Sequence, residues 1–239
     1  MPQPDHPELD WRDGAIPVSR AFDDPYFSLS GGLDETRHVF LAGNRLPQRF
    51  CDGFQIAELG FGTGLNLLAT LLAHTGPGHL RFTSFEAFPL PATDIARALQ
   101  AFADTAPVAD DFLAQWASGA RLLRFPNLTA EIIIGDARDT LPLWNGRADA
   151  WFLDGFSPAK NPELWSPALM HEVARHTAPQ GTFATYTAAG HVRHSLTEAG
   201  FAIARQPGFG RKRHMTTGQL QGACLTVSAP ALPPGTDLT

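Results

Sequence analysis

Phe54-Gln-Ile-Ala-Glu-Leu-Gly60-Phe-Gly62-Thr-Gly64-Leu-Asn66 is the stretch on which the fold turns. Phe54 to Gly60 reads as a buried strand, and Leu65 to His74 reads as a helix. Between them stand three glycines at alternate positions. Glycine lets a backbone turn sharply and approach a ligand with no Cβ in the way. A helix that begins directly after such a turn aims its free N–H groups at whatever sits there. A tight strand-to-helix turn that binds nothing has the same composition, so the loop alone leaves both readings open.

Downstream, Arg81 to Glu86 reads as a second short strand. Pro91 to Ala103 has apolar residues at helical spacing (Ile95, Ala98, Leu99, Phe102), and a further helix is expected around Asp110 to Ala117. Arg121 to Phe125 and Ala130 to Gly135 form a potential hairpin about Pro126-Asn127. Ala148 to Asp154 is an apolar strand ending in an acid. Then follow a helical Pro162 to His176, a strand from Gly181 to Thr187, and a helix from His191 to Ala199 stopped by Gly200. Phe201 to Arg205 and Ala223 to Ser228 are the expected closing strands. Upstream, the first 20 residues read as loose. Asp23 to Asn44 carries Tyr26, Phe27, Leu29, Val39, Phe40 and Leu41 and is expected to pack on the main body. The expected organisation is an N-terminal extension over residues 1–50, one α/β domain over 51–229 and a disordered tail over 230–239. Alternating strands and helices imply a mainly parallel sheet with helices on both faces. Ligands of such sheets bind outside the carboxyl ends of the strands.

The chain has 239 residues, 44% hydrophobic and 18% charged, an ordinary balance for a folded protein. A formal net charge of −6 opposes a broad basic surface for indiscriminate nucleic-acid binding but leaves room for a local basic patch. No apolar run is long enough to span a bilayer, and Met1 to Asp13 lacks the basic start and apolar core of a signal peptide. A cytoplasmic protein without membrane attachment is expected. Cys51 and Cys224 belong to no CxxC or Cys/His cluster and read as reduced thiols. The nine histidines show no metal-ligand spacing, so no metal is expected.

The acids at strand ends carry the next layer of meaning. Glu86 closes the second strand about 20 residues after the loop, where an acid accepts hydrogen bonds from ribose hydroxyls. Leu65 stands where a dinucleotide fingerprint wants its third glycine, which disfavours a nicotinamide oxidoreductase. The G-x-G-x-G spacing instead resembles class I methyltransferases, whose loop holds the amino-acid end of S-adenosylmethionine. In that class an acid at the position of Asp136 commonly approaches the adenine amino group; Asp136 is equally a natural helix N-cap, and one residue can do both. Asp154-Gly-Phe156-Ser-Pro158 resembles the Asp/Asn-Pro-Pro-aromatic turn of many amino-directed methyltransferases.

A more specific resemblance runs from about residue 11 to 218. Its blocks are Pro17-Val-Ser, Asp24-Pro-Tyr-Phe-Ser28, Gly32-Leu-Asp-Glu-Thr36, Val39-Phe-Leu-Ala-Gly-Asn44, Glu58 to Asn66, Asp154-Gly-Phe-Ser-Pro-Ala-Lys-Asn-Pro162, Thr187-Ala-Ala-Gly190 with Val192-Arg193, and Gly208-Phe-Gly-Arg-Lys-Arg213. In these the chain resembles the methyltransferase half of the bifunctional tRNA 5-methylaminomethyl-2-thiouridine biosynthesis proteins and their stand-alone relatives. It departs at Glu86-Ala-Phe-Pro, usually Glu-Lys-x-Pro, and at His214, where an acid is common.

The resemblance implies a class I, Rossmann-like α/β fold and methyl transfer to the exocyclic amine of 5-aminomethyl-2-thiouridine at the tRNA wobble position. The implied cofactor residues are Glu58, Gly60, Phe61, Gly62, Gly64, Asn66, Glu86, Asp136 and Asp154. Asp154 is expected to align the amine, while Phe156 and Pro158 flank the base. Tyr26 and Asn44 either line the pocket or simply pack. Lys160 either meets a phosphate or is an exposed loop lysine. Arg193, Arg211, Lys212 and Arg213 are the expected tRNA contacts. Bifunctional members carry a flavin-dependent oxidase domain; this chain has no second dinucleotide loop, so methylation alone, without FAD, is expected. The rivals are a small-molecule amine methyltransferase, an aminopropyltransferase of the spermidine-synthase type, and a non-catalytic tRNA-binding module. The oligomeric state is open.

Overall fold

The computed structural model describes residues 7–28 and 31–221. Its N-terminal strands β1 (Leu9–Arg12), β2 (Ile16–Ser19) and β3 (Asp24–Pro25) form a small antiparallel sheet. Residues 9–19, read as loose from their composition, therefore form a paired hairpin. Ile16 and Val18 are buried. Trp11 lies under the Arg97 guanidinium, 3.9 Å from its ring centroid, and Arg97 Nε donates to the Gly14 carbonyl at 2.8 Å. A short helix α1 (Gly32–Thr36) continues through a π-turn, Arg37–Leu41, into a 3₁₀ turn, Ala42–Asn44, whose Val39, Phe40 and Leu41 are buried.

The main body then alternates: β4 (Gln55–Leu59), α2 (Leu65–Ala73), β5 (Leu80–Glu86), α3 (Ala92–Leu99), α4 (Ala106–Ala117), β6 (Leu122–Phe125), β7 (Leu128–Ile134), α5 (Ala137–Thr140), β8 (Ala148–Leu153), α6 (Pro167–Arg175), β9 (Thr177–Thr185), α7 (Gly190–Glu198), β10 (Phe201–Pro207) and β11 (His214–Leu220). The large sheet runs β10-β11-β9-β8-β4-β5-β7-β6. The segment β9-β8-β4-β5-β7 is parallel; β6, β10 and β11 add antiparallel edges.

Strand side chains alternate between two apolar cores. Ile56, Phe82, Ala150 and Phe152 face one core with α2, α3 and α4. Ala57, Phe85, Trp151 and Leu153 face the other with α6 and α7. The chain runs from β4 outward through β5 to β7, then returns to lay β8 on the opposite side of β4. That reversal opens a crevice at the carboxyl ends of β4 and β8, between the glycine loop and Asp154.

Three sequence expectations change. Pro162 to His176 is not one helix: a 3₁₀ turn, Pro162–Trp165, ends at Ser166, which is extended (φ −63°, ψ 147°) and caps α6. Pro167 disfavours helical backbone at the residue before it, and it fits the first turn of the new helix, where its missing N–H costs nothing. The strand expected from Gly181 begins earlier, at Thr177. The strand paired between β9 and β10 is His214–Leu220, which no strong apolar alternation announces; only Met215 is a buried hydrophobe in it. Ala223 to Ser228, and the tail, lie outside the described residues, as does Cys224. Among the described residues, no helix is long and apolar enough to cross a membrane.

Asn44 joins the N-terminal segment to the sheet. It is fully buried; its Nδ2 donates to the Phe40 and Trp151 carbonyls at 3.0 and 3.1 Å, and its Oδ1 accepts from Thr182 Oγ1 at 2.6 Å. Removing a buried partner of this kind strands polar groups away from water. Asn44→Ala is expected to destabilise the fold by about 3 kcal/mol. The measurement is a urea midpoint at unchanged slope; a shift smaller than about 0.5 kcal/mol would show that water replaces the lost bonds.

Candidate functional site

A cavity of about 920 Å³ opens at the carboxyl ends of β4, β5, β7 and β8. Its floor is the glycine loop. Gly60 and Gly62 both have left-handed backbone (φ 84° and 54°). A Cβ on Gly60 would lie 3.2 Å from Gly155 Cα, and one on Gly62 would lie 3.3 Å from the Tyr26 ring. The loop is thus bare backbone pressed between the acceptor turn and the N-terminal segment, with α2 starting behind it. Glu86 braces it: Oε2 accepts the Gly62 N–H at 2.9 Å and Oε1 accepts the Phe88 N–H at 2.7 Å. Burial pushes the Glu86 pKa up, against the pull of these backbone donors.

Asp154 lines the cavity at the end of β8. Its Oδ1 accepts the Gly155 N–H at 2.8 Å and its Oδ2 accepts from Asn66 Nδ2 at 2.9 Å. The same amide group donates to Glu58 Oε1 at 2.7 Å, and Ser84 Oγ donates to Glu58 Oε2 at 2.6 Å. Asn66 therefore links two acids from neighbouring strands. Burial raises both: Glu58 well above the usual carboxylate range, and Asp154 to about 6.

The N-terminal segment supplies the opposite wall. Asp24 Oδ2 accepts the Ser157 N–H at 2.8 Å and so holds the Asp154 turn. Phe22 stacks on Phe156 at 4.6 Å, and Tyr26 meets Phe156 edge-on at 5.0 Å. Tyr186, at the end of β9, donates its hydroxyl to the Gly155 carbonyl at 2.8 Å. Across the cavity Asp136 caps α5 through the Arg138 N–H and forks with the Arg138 guanidinium, the Oδ2–Nη2 distance being 2.6 Å. Hydrogen bonding from the Arg138 side chain holds the Asp136 carboxyl below its ordinary value.

Of the residues singled out in the sequence, Gly60, Phe61, Gly62, Asn66, Glu86, Asp136, Asp154, Phe156, Tyr26, Arg211 and Lys212 line this cavity. Only part of Phe61 faces it, because its ring stacks on Trp116 at 5.1 Å. The others lie elsewhere, each for a physical reason. Glu58 is fully buried beneath the loop with both oxygens taken. Gly64 turns toward the apolar core, where a Cβ would meet Phe112 at 2.8 Å. Pro158 is buried behind the acceptor turn, and Asn44 is the internal tie already described. Lys160 is exposed in its loop, where its ammonium donates to the Asp23 carbonyl and pairs with the exposed Asp23 carboxylate at 3.0 Å. Arg193 sits half-buried on α7, and Arg213 is exposed off the cavity wall. Lys212 turns inward to pair with Glu35 Oε1 at 2.8 Å. Sequence reading had left Phe22, Asp24, Glu35 and Tyr186 without roles. Asp24 and Glu35 lie inside quoted family blocks, so that was their signal; Tyr186 had none. Among the described residues no group of three or more His, Cys, Asp or Glu is placed to hold a metal.

A family model described as S-adenosyl-L-methionine-dependent methyltransferase matches residues 102–221. The chain is 47% identical over 239 residues to the tRNA 5-methylaminomethyl-2-thiouridine biosynthesis bifunctional protein MnmC of Pseudomonas paraeruginosa, an alignment covering 94% of this chain and 36% of that protein. The protein of the same name from Pseudomonas aeruginosa is 49% identical over 231 residues, 91% of this chain and 35% of that protein. The chain thus spans about a third of the length of these relatives. The crystal structure of MNMC2 from Aquifex aeolicus superposes with a TM-score of 0.74 at 26% identity, covering 98% of this chain and 74% of that one.

The raised Asp154 makes stability pH-dependent. The folded state takes up this proton at about pH 6 and the unfolded chain near 3.8, so the folded state is favoured below that window and loses the contribution as pH rises through it. In urea unfolding at a series of pH values, wild type is expected to lose stability relative to Asp154→Asn between about pH 4 and 6, with parallel curves above. A constant difference across the series would contradict the shifted carboxyl.

Proposed function

The chain belongs to the S-adenosyl-L-methionine-dependent methyltransferase family, and from that premise we propose that it methylates the primary amine of 5-aminomethyl-(2-thio)uridine at the tRNA wobble position. The observation that carries the proposal is the Asp154 carboxylate, held at the cavity wall by Asn66 and Gly155, with an aromatic cluster beside it. The names and identities of the MnmC relatives support the tRNA substrate.

The residues present fit S-adenosylmethionine. The bare Gly60 and Gly62 backbone and the start of α2 suit the charged amino-acid end. The Glu86 carboxyl, braced by backbone N–H groups, lines the cavity and would accept a ribose hydroxyl. Asp136 lines the cavity where an adenine amino group would approach. When bound, S-adenosylmethionine supplies an already activated methyl group, which leaves the protein the work of positioning.

Asp154 performs that positioning. An ionised carboxylate accepts hydrogen bonds from the amine's hydrogens, turns its lone pair toward the methyl carbon and stabilises the positive charge that grows on nitrogen. With S-adenosylmethionine bound, its sulfonium would supply the methyl group to the amine nitrogen that Asp154 holds, and the surplus proton on that nitrogen would pass to water. A neutral carboxyl cannot do this as well, so activity depends on ionisation near pH 6. Phe156 and Tyr26 give the uracil ring an apolar border. Arg211, exposed and lining the cavity, and the exposed Arg213 would supply cations for backbone phosphates. A small-molecule amine is the alternative, favoured by the net charge of −6.

Calorimetry with S-adenosylmethionine and methyl transfer to tRNA bearing 5-aminomethyluridine test the proposal together. Asp154→Ala is expected to keep cofactor binding and to lose transfer by about a hundredfold or more. Single-turnover rates in wild type are expected to fall as pH drops through about 6. Cofactor binding with transfer to small amines and none to the tRNA would sink the substrate.

A further inference from the structure

Lys212 lies in the turn between β10 and β11, where the Gly208 N–H donates to the Arg213 carbonyl and the Lys212 N–H to the Phe209 carbonyl. From there its side chain reaches into the cavity. Its ammonium sits 2.8 Å from Glu35 Oε1 and 4.1 Å from the centroid of the Tyr186 ring. Glu35 is buried, 8% exposed, on α1. Tyr186 is fixed by its hydroxyl bond to the Gly155 carbonyl, one residue from Asp154. Glu35, Tyr186, Lys212 and Asp154 all line the same cavity. A carboxylate and an aromatic face converging on one ammonium form a recognition site for alkylammonium groups. The Lys212 side chain is 44% exposed, which leaves it a path outward to solvent.

We propose that Glu35 and the Tyr186 ring form a seat for a primary alkylammonium, held by Lys212 in the empty protein and yielded to the substrate's aminomethyl group. The proposal rests on the amine-methylating reading above. An aminomethyl group arrives largely protonated near neutral pH, chemically equivalent to the lysine tip it replaces. The exchange is one cation for another, so Glu35 is never left as an unpaired buried charge. The displaced Lys212 moves toward the mouth, where Arg211 stands, and adds a third cation to the phosphate-facing edge. Before transfer the substrate nitrogen gives a proton to water; after transfer it is a secondary ammonium. The seat therefore favours the charge that returns to nitrogen during the reaction. A hydroxyl or a neutral ring nitrogen brings no cation and does not displace Lys212. On this account Glu35 selects the acceptor class while Asp154 aligns the lone pair.

The test uses two anticodon stem-loops, one carrying 5-aminomethyluridine and one unmodified uridine, with S-adenosylhomocysteine present to prevent turnover. Fluorescence anisotropy yields two dissociation constants and their ratio. Wild type is expected to prefer the aminomethyl form, and Glu35→Gln to cut that preference about tenfold. Lys212→Met is expected to raise the ratio several-fold by removing the competitor, whereas mere loss of a phosphate contact would weaken both stem-loops equally and leave it unchanged. Tyr186→Leu should lower the ratio and Tyr186→Phe keep it; these variants also serve if Glu35→Gln fails to bind S-adenosylhomocysteine and so has not folded. A ratio unaltered in folded Glu35→Gln, in Tyr186→Leu or in Lys212→Met overturns the seat. Methyl transfer by wild type to the aminomethyl stem-loop is measured alongside. Transfer without binding preference overturns the seat and leaves the amine reading standing; no transfer brings down both.

Discussion

The Asn66 side-chain amide is the interaction on which the site depends. Its two hydrogens go to Glu58 at the end of β4 and to Asp154 at the end of β8. Two acids this deeply placed repel each other and lack water, so a shared donor between them is worth more than an exposed hydrogen bond. The bond also does geometric work. It spans the point where the strand order reverses, and so fixes the distance between the glycine loop and the acceptor turn. One residue in the first turn of α2 thus sets the separation of the two loops.

Around that bridge the N-terminal segment closes the cavity. Asp24 holds the Ser157 N–H, Lys160 ties the turn to Asp23, and Tyr26 covers Gly62 while its ring edges Phe156. Asn44 and Arg49 bind the same segment to the sheet, with Arg49 reaching the Thr182 hydroxyl and the Asp149 carbonyl. Two basic residues that a sequence reading assigns to nucleic acid are paired with carboxylates of this chain: Lys160 with the exposed Asp23 and Lys212 with the buried Glu35. The first pair is screened by solvent and the second, against a buried carboxylate, is screened less. Arg138, Arg211 and Lys212 line the cavity with their side chains partly or largely exposed, and Arg213 is exposed beside them.

Much of this was legible in the sequence. The strand, glycine loop and helix from Phe54 to His74 are recognisable because composition and periodicity coincide there. The acids Glu86, Asp136 and Asp154 are legible because they fall at strand ends, where parallel sheets of this kind bind their ligands. The misreadings have physical causes too. Pro162 to His176 has helical composition throughout, and only the restriction that Pro167 places on Ser166 breaks it. His214–Leu220 is a strand because β9 and β10 offer it open edges on both sides, a pairing that its own polar residues do not declare. The hairpin of residues 9–19 looks loose because its few apolar residues are anchored by Arg97, which is distant in sequence.

By itself the sequence determined the alternation of strands and helices from β4 to β10, the two-faced parallel sheet, the loop and the acids at the carboxyl ends, because strand and helix periodicity and glycine placement are local properties; β1 to β3 and β11 were not legible in it. Only the tertiary structure decided which polar residues face the cavity and which are consumed within the fold. Glu58, Asn44 and Lys160 are of the same residue types as Glu86, Asn66 and Lys212, and nothing near them in sequence separates ligand-facing from structural roles. That separation comes from partners far along the chain, Ser84, Thr182 and Asp23 on one side, Gly62, Asp154 and Glu35 on the other. A buried polar group is defined by where its hydrogen bonds end, and that is fixed only when the chain has folded.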